Sequence, residues 1–199
     1  SVFKLRIGVV IMLSALAGLA VTPGPMPEAY QVWVLAVAVL VSAASAGAFN
    51  QYVERDIDGR MSRTAKRPFV TGRFAAGPVW PLVIWGLMAL AVGAAAVAVN
   101  VWAALYTFLG AFTYAVVYTV WLKRRTWLNI VFGGLAGSFA VLAGAAAVDP
   151  GIGASAFLFS LAMFLWTPPH FWSLALALKD DYAAAGVPML PVVVGPQAT

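Results

Sequence analysis

The chain has 199 residues, of which 63% are hydrophobic and 10% are charged, and its mean hydropathy is +0.92. This composition excludes an ordinary soluble domain and predicts an integral membrane protein. The sequence contains no cysteine, which excludes a disulfide framework, a thiolate metal site and a cysteine nucleophile. The net charge is +5, but the basic residues accompany no soluble recognition fold, so we expect no nucleic-acid partner.

Six apolar segments follow one another along the chain, and most approach the ~20 residues that a helix needs to cross a bilayer. They predict an all-α, polytopic membrane bundle with six transmembrane helices, in a single domain over residues 1–199. The first segment is short, and Lys4 and Arg6 before it also suit a signal peptide, but we expect a true span. The segments cover residues 7–21, 31–49, 79–99, 101–122, 127–148 and 154–178.

The distribution of charge predicts the orientation of this bundle. With six spans, all twelve Lys and Arg residues fall on one side, in the N-terminus, the loops 50–78 and 123–126, and the tail after residue 178. The positive-inside rule makes that side cytoplasmic, and we expect a prokaryotic inner membrane. The oligomeric state is left open by the sequence.

Acidic residues gather at the cytoplasmic ends of two predicted spans. Asn50, Glu54 and Asp58 follow the second span at i, i+4 and i+8, so a helix brings them to one face. Asp180 and Asp181 follow the sixth span. Carboxylates at a helix C-terminus oppose the helix dipole, so helix stability does not explain them. Ionisable groups at an apolar segment indicate function, and oxygen ligands suit Mg²⁺ bound to a phosphate.

Basic residues in the loop beside the first cluster support phosphate binding. Arginine forks make bidentate phosphate contacts, and lysine acts as a point charge. The same residues also suit an anchor for anionic lipid headgroups, and the acidic cluster also suits a solvated helix end neutralised by neighbouring arginines. The diphosphate candidates are Arg55, Arg63, Lys66, Arg67 and Arg73, and the neutralising arginines are Arg55, Arg60 and Arg63.

The sixth segment contains a second unusual run, Trp166-Thr-Pro-Pro-His-Phe-Trp172. Paired prolines remove backbone donors and free carbonyls, which lipid does not tolerate unless protein or a cavity satisfies them. His170 is the only histidine. It suits a hydrogen-bonded core residue, a haem-iron ligand, a proton-transfer group or a base that faces a carbocation.

Together these motifs resemble the UbiA superfamily of intramembrane prenyltransferases. The spacing Asn50-x-x-x-Glu54-x-x-x-Asp58, followed four helices later by a second acidic motif, carries the resemblance. Within that superfamily, Arg55 and Asp56, the Pro-Pro-His-Phe-Trp run and the segment 179–191 resemble the branch that farnesylates protohaem.

The resemblance implies a reaction and its participants. A Mg²⁺-dependent enzyme in the lipid bilayer would transfer a farnesyl group from farnesyl diphosphate to a vinyl group of haem B, giving haem O. The implied catalytic residues are Asn50, Glu54, Asp58 and His170. The implied metal ligands are Asn50, Glu54, Asp58, Asp180 and Asp181, and the haem-binding candidates are His170 and Trp172.

Two departures from the superfamily pattern matter. Its members typically have nine transmembrane helices, so we expect this chain to lack the C-terminal ones. His170 stands where other members begin the second motif with Asp, which makes the second site poor in acids. Two alternatives stay open: a UbiA-type enzyme that prenylates a quinone precursor, and a non-enzymatic haem-binding or transport protein. A transporter would carry polar groups near mid-membrane in several spans.

Overall fold

The computed structural model describes residues 2–199, and over that range the chain forms helices and loops without a β-strand. The all-α prediction is confirmed. In chain order the elements are α1 Leu5–Val21, α2 Ala29–Val53, α3 Arg55–Asp58, α4 Val79–Ala98, α5 Val101–Phe112, a π-helix Thr113–Leu122, α6 Asn129–Val148, α7 Ala154–Ala177, α8 Lys179–Ala184, α9 Leu190–Val193 and a 3₁₀-helix Pro196–Ala198.

Each of the six predicted apolar segments is helical. Within residues 2–199, four helices are long and apolar enough to cross a membrane: α2, α4, α5 continued by the π-helix, and α6. Helix α1 is shorter, with 17 residues. Helix α7 has 24 residues and runs through Pro168 and Pro169 without interruption, but its Thr-Pro-Pro-His run makes it less apolar. The count of six spans therefore stays a prediction.

The outer surface of the bundle is apolar, as a lipid-facing surface must be. On α4, for example, Leu82 is 75% exposed, Leu90 is 72% exposed and Val97 is 91% exposed. These apolar helices indicate an integral membrane protein. The cytoplasmic orientation of the basic loops stays a prediction.

Helix α6 lies at the centre of the bundle and packs against α1, α5, α7 and the π-helix. Its contact with α1 is made between backbones. A Cβ atom added at Gly144 would lie 1.7 Å from the carbonyl oxygen of Ala15, and one at Gly18 would lie 2.1 Å from that of Val141. Small residues permit such close approach between membrane helices, where lipid supplies no hydrophobic driving force.

The π-helix continues α5 with a wider turn, which the sequence does not predict. The hydroxyl of Thr119 donates to the carbonyl oxygen of Tyr114 at 2.8 Å, and the backbone N–H of Lys123 donates to that of Tyr118 at 2.9 Å. The second is a backbone bond between residues five apart, which defines a π turn, and the first is a side-chain bond across the same spacing. The segment turns Tyr114, Tyr118 and Thr119 toward the interior of the bundle.

We predict that Gly144→Ala destabilises the protein by about 1–3 kcal/mol, because the added methyl group collides with the α1 backbone. The matched control is Gly93→Ala in α4, where an added Cβ meets no atom within 4 Å. That change should be neutral or stabilising by up to about 1 kcal/mol. Thermal unfolding in detergent measures both, and equal melting temperatures would contradict the backbone contact.

Candidate functional site

A cavity of about 510 Å³ opens at the end of the bundle where α2 ends and the π-helix ends. Five of its lining residues are Lys or Arg and, over residues 2–199, none is Asp or Glu. Clustered cations with apolar walls favour an anionic ligand. The polar and aromatic lining residues include Lys4, Asn50, Arg63, Thr64, Lys66, Arg67, Tyr114, Tyr118, Lys123, Phe171 and Tyr182.

Asn50 is the member of the first motif that lines this cavity. Its Oδ1 accepts a hydrogen bond of 2.6 Å from the Lys4 ammonium, and its Nδ2 donates to Thr119 Oγ1 at 3.1 Å. The amide is thus fixed between the segment that precedes α1 and the π-helix.

Glu54 and Asp58 lie behind the cavity wall, each paired with a cation. Lys123 Nζ donates to Glu54 Oε2 at 2.6 Å, and Arg67 donates to Asp58 Oδ2. Glu54 is 0% exposed and its Oε1 has no hydrogen-bond partner. Burial lowers the pKa of the Lys123 ammonium, and Glu54 opposes that effect.

The donors of the first motif fit Mg²⁺ in kind. They are one amide and two carboxylates, and the buried, unpartnered Oε1 of Glu54 is an oxygen that a cation would satisfy. No three Asp, Glu or His side chains of the described chain, residues 2–199, form a ready-made metal cluster. Mg²⁺ takes only one or two protein carboxylates when it also binds a phosphate, so such a cluster is not required.

The second acidic pair does not reach the cavity lining. Asp181 Oδ2 accepts a hydrogen bond of 2.6 Å from Ser62 Oγ, which lowers the pKa of the Asp181 carboxyl, and Asp180 is exposed. The Ser62 contact brings the two motifs to the same end of the bundle. Tyr182 is the residue of this segment that lines the cavity, and burial raises the pKa of its phenol.

The predicted diphosphate residues divide into two groups. Arg63, Lys66 and Arg67 line the cavity. Arg55 points away from it, donates to the carbonyl oxygen of Tyr52 and lies over that ring at 5.1 Å, and Arg73 is exposed in the loop. The structure therefore brings together three of these five cations.

Asp56 and Arg124 form an exposed, two-bonded ion pair with both distances at 2.7 Å. Hydrogen bonding to Arg124 lowers the pKa of the Asp56 carboxyl. The acidic helix end is thus neutralised by Arg67, Lys123 and Arg124. The expectation that Arg55, Arg60 and Arg63 would neutralise it is not met by any ion pair over residues 2–199.

The predicted haem residues lie on α7 outside the cavity. His170 is exposed and stacks on Trp166, with ring centroids 4.2 Å apart and planes at 14°. Trp172 packs beside Trp127, and its buried Nε1 has no hydrogen-bond partner. Phe171, between His170 and Trp172, turns inward and lines the cavity.

A second, apolar cavity of about 240 Å³ extends into the bundle between α1, α2, α5 and α6. It adjoins the first cavity, because the two share Lys4, Ile7, Tyr114 and Phe171 as lining residues. Deeper in the bundle its wall is made of small residues, among them Ala43, Ala46, Gly47, Gly110, Ala136 and Ala140.

The sequence model of the UbiA prenyltransferase family matches residues 11–199. The chain belongs to the UbiA prenyltransferase family. It is 65% identical over 193 residues to Protoheme IX farnesyltransferase 2 of Paramagnetospirillum magneticum, covering 97% of this chain and 67% of that protein. It is 43% identical to Protoheme IX farnesyltransferase of Parvibaculum lavamentivorans, covering 98% of this chain and 61% of that protein.

Solved structures show the same fold. A UbiA homolog from Archaeoglobus fulgidus bound to DMAPP and Mg²⁺ has a TM-score of 0.83 at 19% identity, over 98% of this chain and 69% of that one. The apo structure of a UbiA homolog from Aeropyrum pernix K1 has a TM-score of 0.78 at 22% identity, over 98% and 72%. The chain thus spans about two thirds of the length of these proteins.

Sequence reasoning missed several cavity residues of this UbiA-family chain. Lys123 is the first residue after the fourth apolar segment, and its position on the same membrane face as Glu54 was a usable signal. Lys4 shows nothing in the sequence beyond its charge. Tyr114 and Tyr118, stacked at 5.7 Å, gave no signal, because their inward direction depends on the π-helix.

We predict that Lys123→Met lowers the free energy of unfolding by about 3–5 kcal/mol, because it leaves the buried Glu54 carboxylate unpaired. Arg124→Gln, the matched control at the adjacent residue, breaks an exposed ion pair and should cost less than about 1 kcal/mol. Adding Glu54→Gln to Lys123→Met should restore part of the loss. Denaturation in detergent measures all three, and equal costs for the two single variants would refute the distinction.

Proposed function

We propose that this UbiA-family protein transfers a farnesyl group from farnesyl diphosphate to a vinyl group of haem B, making haem O. The observation that carries the proposal is the meeting of a cationic cavity and an apolar cavity. A prenyl diphosphate has two such parts, an anionic head and a hydrocarbon chain. The identity to proteins named protoheme IX farnesyltransferase supports farnesyl as the donor group and protohaem as the acceptor.

The cationic cavity would bind the diphosphate. Arg63 and Arg67 offer planar guanidinium donors, and Lys66 adds a point charge from the same loop in the cavity lining. Arg55 and Arg73 stay predicted diphosphate residues, and the loop that carries them would have to move for them to reach the diphosphate. The positive-inside rule supports a cytoplasmic location for this end of the bundle, where a water-soluble head group is accessible.

Asn50, Glu54 and Asp58 would hold Mg²⁺, which when bound supplies positive charge that stabilises the departing diphosphate. In the structure each of these oxygen ligands is held by a cation of the protein: Asn50 by Lys4, Glu54 by Lys123 and Asp58 by Arg67. When Mg²⁺ and the diphosphate bind, the oxygens would turn to the metal and the cations to the diphosphate. Asp180 and Asp181 lie outside the cavity lining. Their predicted metal role would require α8 to move toward the cavity.

The chemistry would occur where the two cavities meet. Breaking the C1–O bond sends its electron pair to the diphosphate oxygen and leaves an allylic cation. Tyr114 and Phe171 present aromatic rings there, and Tyr118 adds another from the cationic cavity. Such rings can stabilise a cation, and the apolar wall excludes water. The haem vinyl group would attack the cation, and addition of water with loss of a proton would complete the hydroxyethylfarnesyl group.

His170 and Trp172 stay our candidates for contact with haem. His170 carries an accessible imidazole, a known haem-iron ligand type, on a flat aromatic face with Trp166. Phe171 lies between His170 and Trp172 in the sequence and lines the cavity, so it connects this aromatic face to the reaction site. A haem that approaches α7 from outside would therefore lie one residue away from the proposed cation.

The direct test is to incubate membranes that carry the protein with haem B, farnesyl diphosphate and Mg²⁺ and to seek farnesylated haem by mass spectrometry. Glu54→Gln and Asp58→Asn should each lower the Mg²⁺-dependent rate by at least about 100-fold, because each removes charge that holds the metal. Glu28→Gln, the same chemical change at the opposite end of α2, should leave it unchanged.

The outcomes of this test are distinct. A wild-type protein that yields no product, or that prenylates a quinone precursor instead, would refute the haem assignment. Undiminished rates in both acidic variants would refute the metal role.

The apolar cavity predicts selection by chain length. Ala43→Leu narrows that cavity and should reduce use of farnesyl diphosphate by about 10–200-fold relative to dimethylallyl diphosphate, because the longer chain loses its space. Gly86→Leu, on the exposed face of α4, is the control and should not alter the ratio. Parallel assays with each donor alone measure this ratio through diphosphate release, and an unchanged ratio for Ala43→Leu would exclude this cavity as the chain site.

A further inference from the structure

Lys4 occupies a position that no other charged residue of the described chain shares. Both cavities have it in their lining, and the other residues common to the two are Ile7, Tyr114 and Phe171. Of these four, Lys4 alone carries a charge. Its ammonium therefore lies where an anionic head and an apolar chain would join.

The segment before α1 holds Lys4 in this place. Its backbone has φ 44° and ψ 43°, a left-handed conformation that costs a non-glycine residue about 1–2 kcal/mol. The side-chain stem crosses α2 at Gly47, where an added Cβ would lie 3.4 Å from Lys4 Cβ and Cδ. Gln51 anchors the same segment by donating to the carbonyl oxygen of Val2 at 2.8 Å.

The partners of the Lys4 ammonium are neutral. It donates to Asn50 Oδ1 at 2.6 Å and to Tyr114 OH at 3.1 Å. The ion pairs found over residues 2–199 join Arg67, Lys123 and Arg124 to carboxylates, and Lys4 takes part in none of them. A partly buried cation with only neutral partners, beside a cavity, favours an anion as its missing partner.

We propose that Lys4 contacts the ester oxygen of the prenyl diphosphate, between C1 of the chain and the first phosphorus. This inference rests on the proposed function and assigns one of its residues. When the C1–O bond breaks, the electron pair moves to that oxygen, and the ammonium neutralises the charge that develops there without giving up a proton. The Tyr114 hydroxyl accepts a hydrogen bond from the same ammonium and directs the ammonium toward the cavity.

The test compares Lys4→Met, which keeps the length of the side chain and removes its charge, with Lys4→Arg and with Arg6→Gln. Arg6 lies two residues further along, in the first turn of α1, is exposed and lines neither cavity, so it is the matched control. The first measurement is the affinity of the purified chain for inorganic pyrophosphate with Mg²⁺. The second is the rate of diphosphate release from farnesyl diphosphate, with haem B absent and present.

For Lys4→Met we expect pyrophosphate affinity to fall about tenfold and the maximal rate of diphosphate release to fall about 100- to 1,000-fold, the usual cost of removing one donor to a developing oxyanion. Lys4→Arg should recover most of the affinity, because it restores the charge. Arg6→Gln should match the wild type. The melting temperature of Lys4→Met should stay near that of the wild type, since no carboxylate loses its partner.

Wild-type affinity and release in Lys4→Met would overturn the inference, as would losses that only accompany a lower melting temperature. The proposed function fails separately. If the wild type binds pyrophosphate through Lys4 but leaves haem B unmodified, the haem assignment is refuted and the role of Lys4 stands.

Discussion

The buried carboxylate of Glu54 is the constraint on which the site depends. Moving an ion from water into a medium of low dielectric constant costs several kcal/mol even after relaxation, so the charge must have a partner. Lys123 provides that partner from the end of the π-helix. The ion pair therefore joins the C-terminal end of α2 to the end of the π-helix, and the cavity forms beside this contact.

The same requirement explains why cations rather than acids line the cavity. Asp58 is paired with Arg67, as Glu54 is with Lys123, and both acids lie behind their partners. Each ion pair orders both of its members, and Arg67 and Lys123 present their charge to the cavity. A site that looks acidic in the sequence is therefore electropositive on its inner surface.

The sequence predicted the helices and the location of the first motif at one end of the bundle, because apolar length and i, i+4 spacing are local properties, and the metal role of the motif stays a prediction. Asn50, Glu54 and Asp58 do lie at one end of the bundle with Arg63, Lys66 and Arg67 nearby. It could not predict the partners, because Lys123 follows a π-helix, whose wider turn changes the direction in which the Lys123 side chain leaves the helix to meet Glu54. Nor could it show that Phe171, rather than its neighbours His170 and Trp172, faces inward. That outcome depends on the rotation of α7 against α6.

The glycine contact between α1 and α6 also fixes the position of α1 along the axis of α6. Helices whose backbones touch at Gly18 and Gly144 cannot slide along one another by a fraction of a turn without collision. Lys4 precedes Ala15 by eleven residues, about 16 Å of helix. One residue inserted between them would shift the Lys4 ammonium by about 1.5 Å and rotate it by about 100° around the α1 axis. The number of residues between Lys4 and Ala15 therefore sets where the Lys4 ammonium lies in the site, and the apolar composition of α1 does not show this constraint.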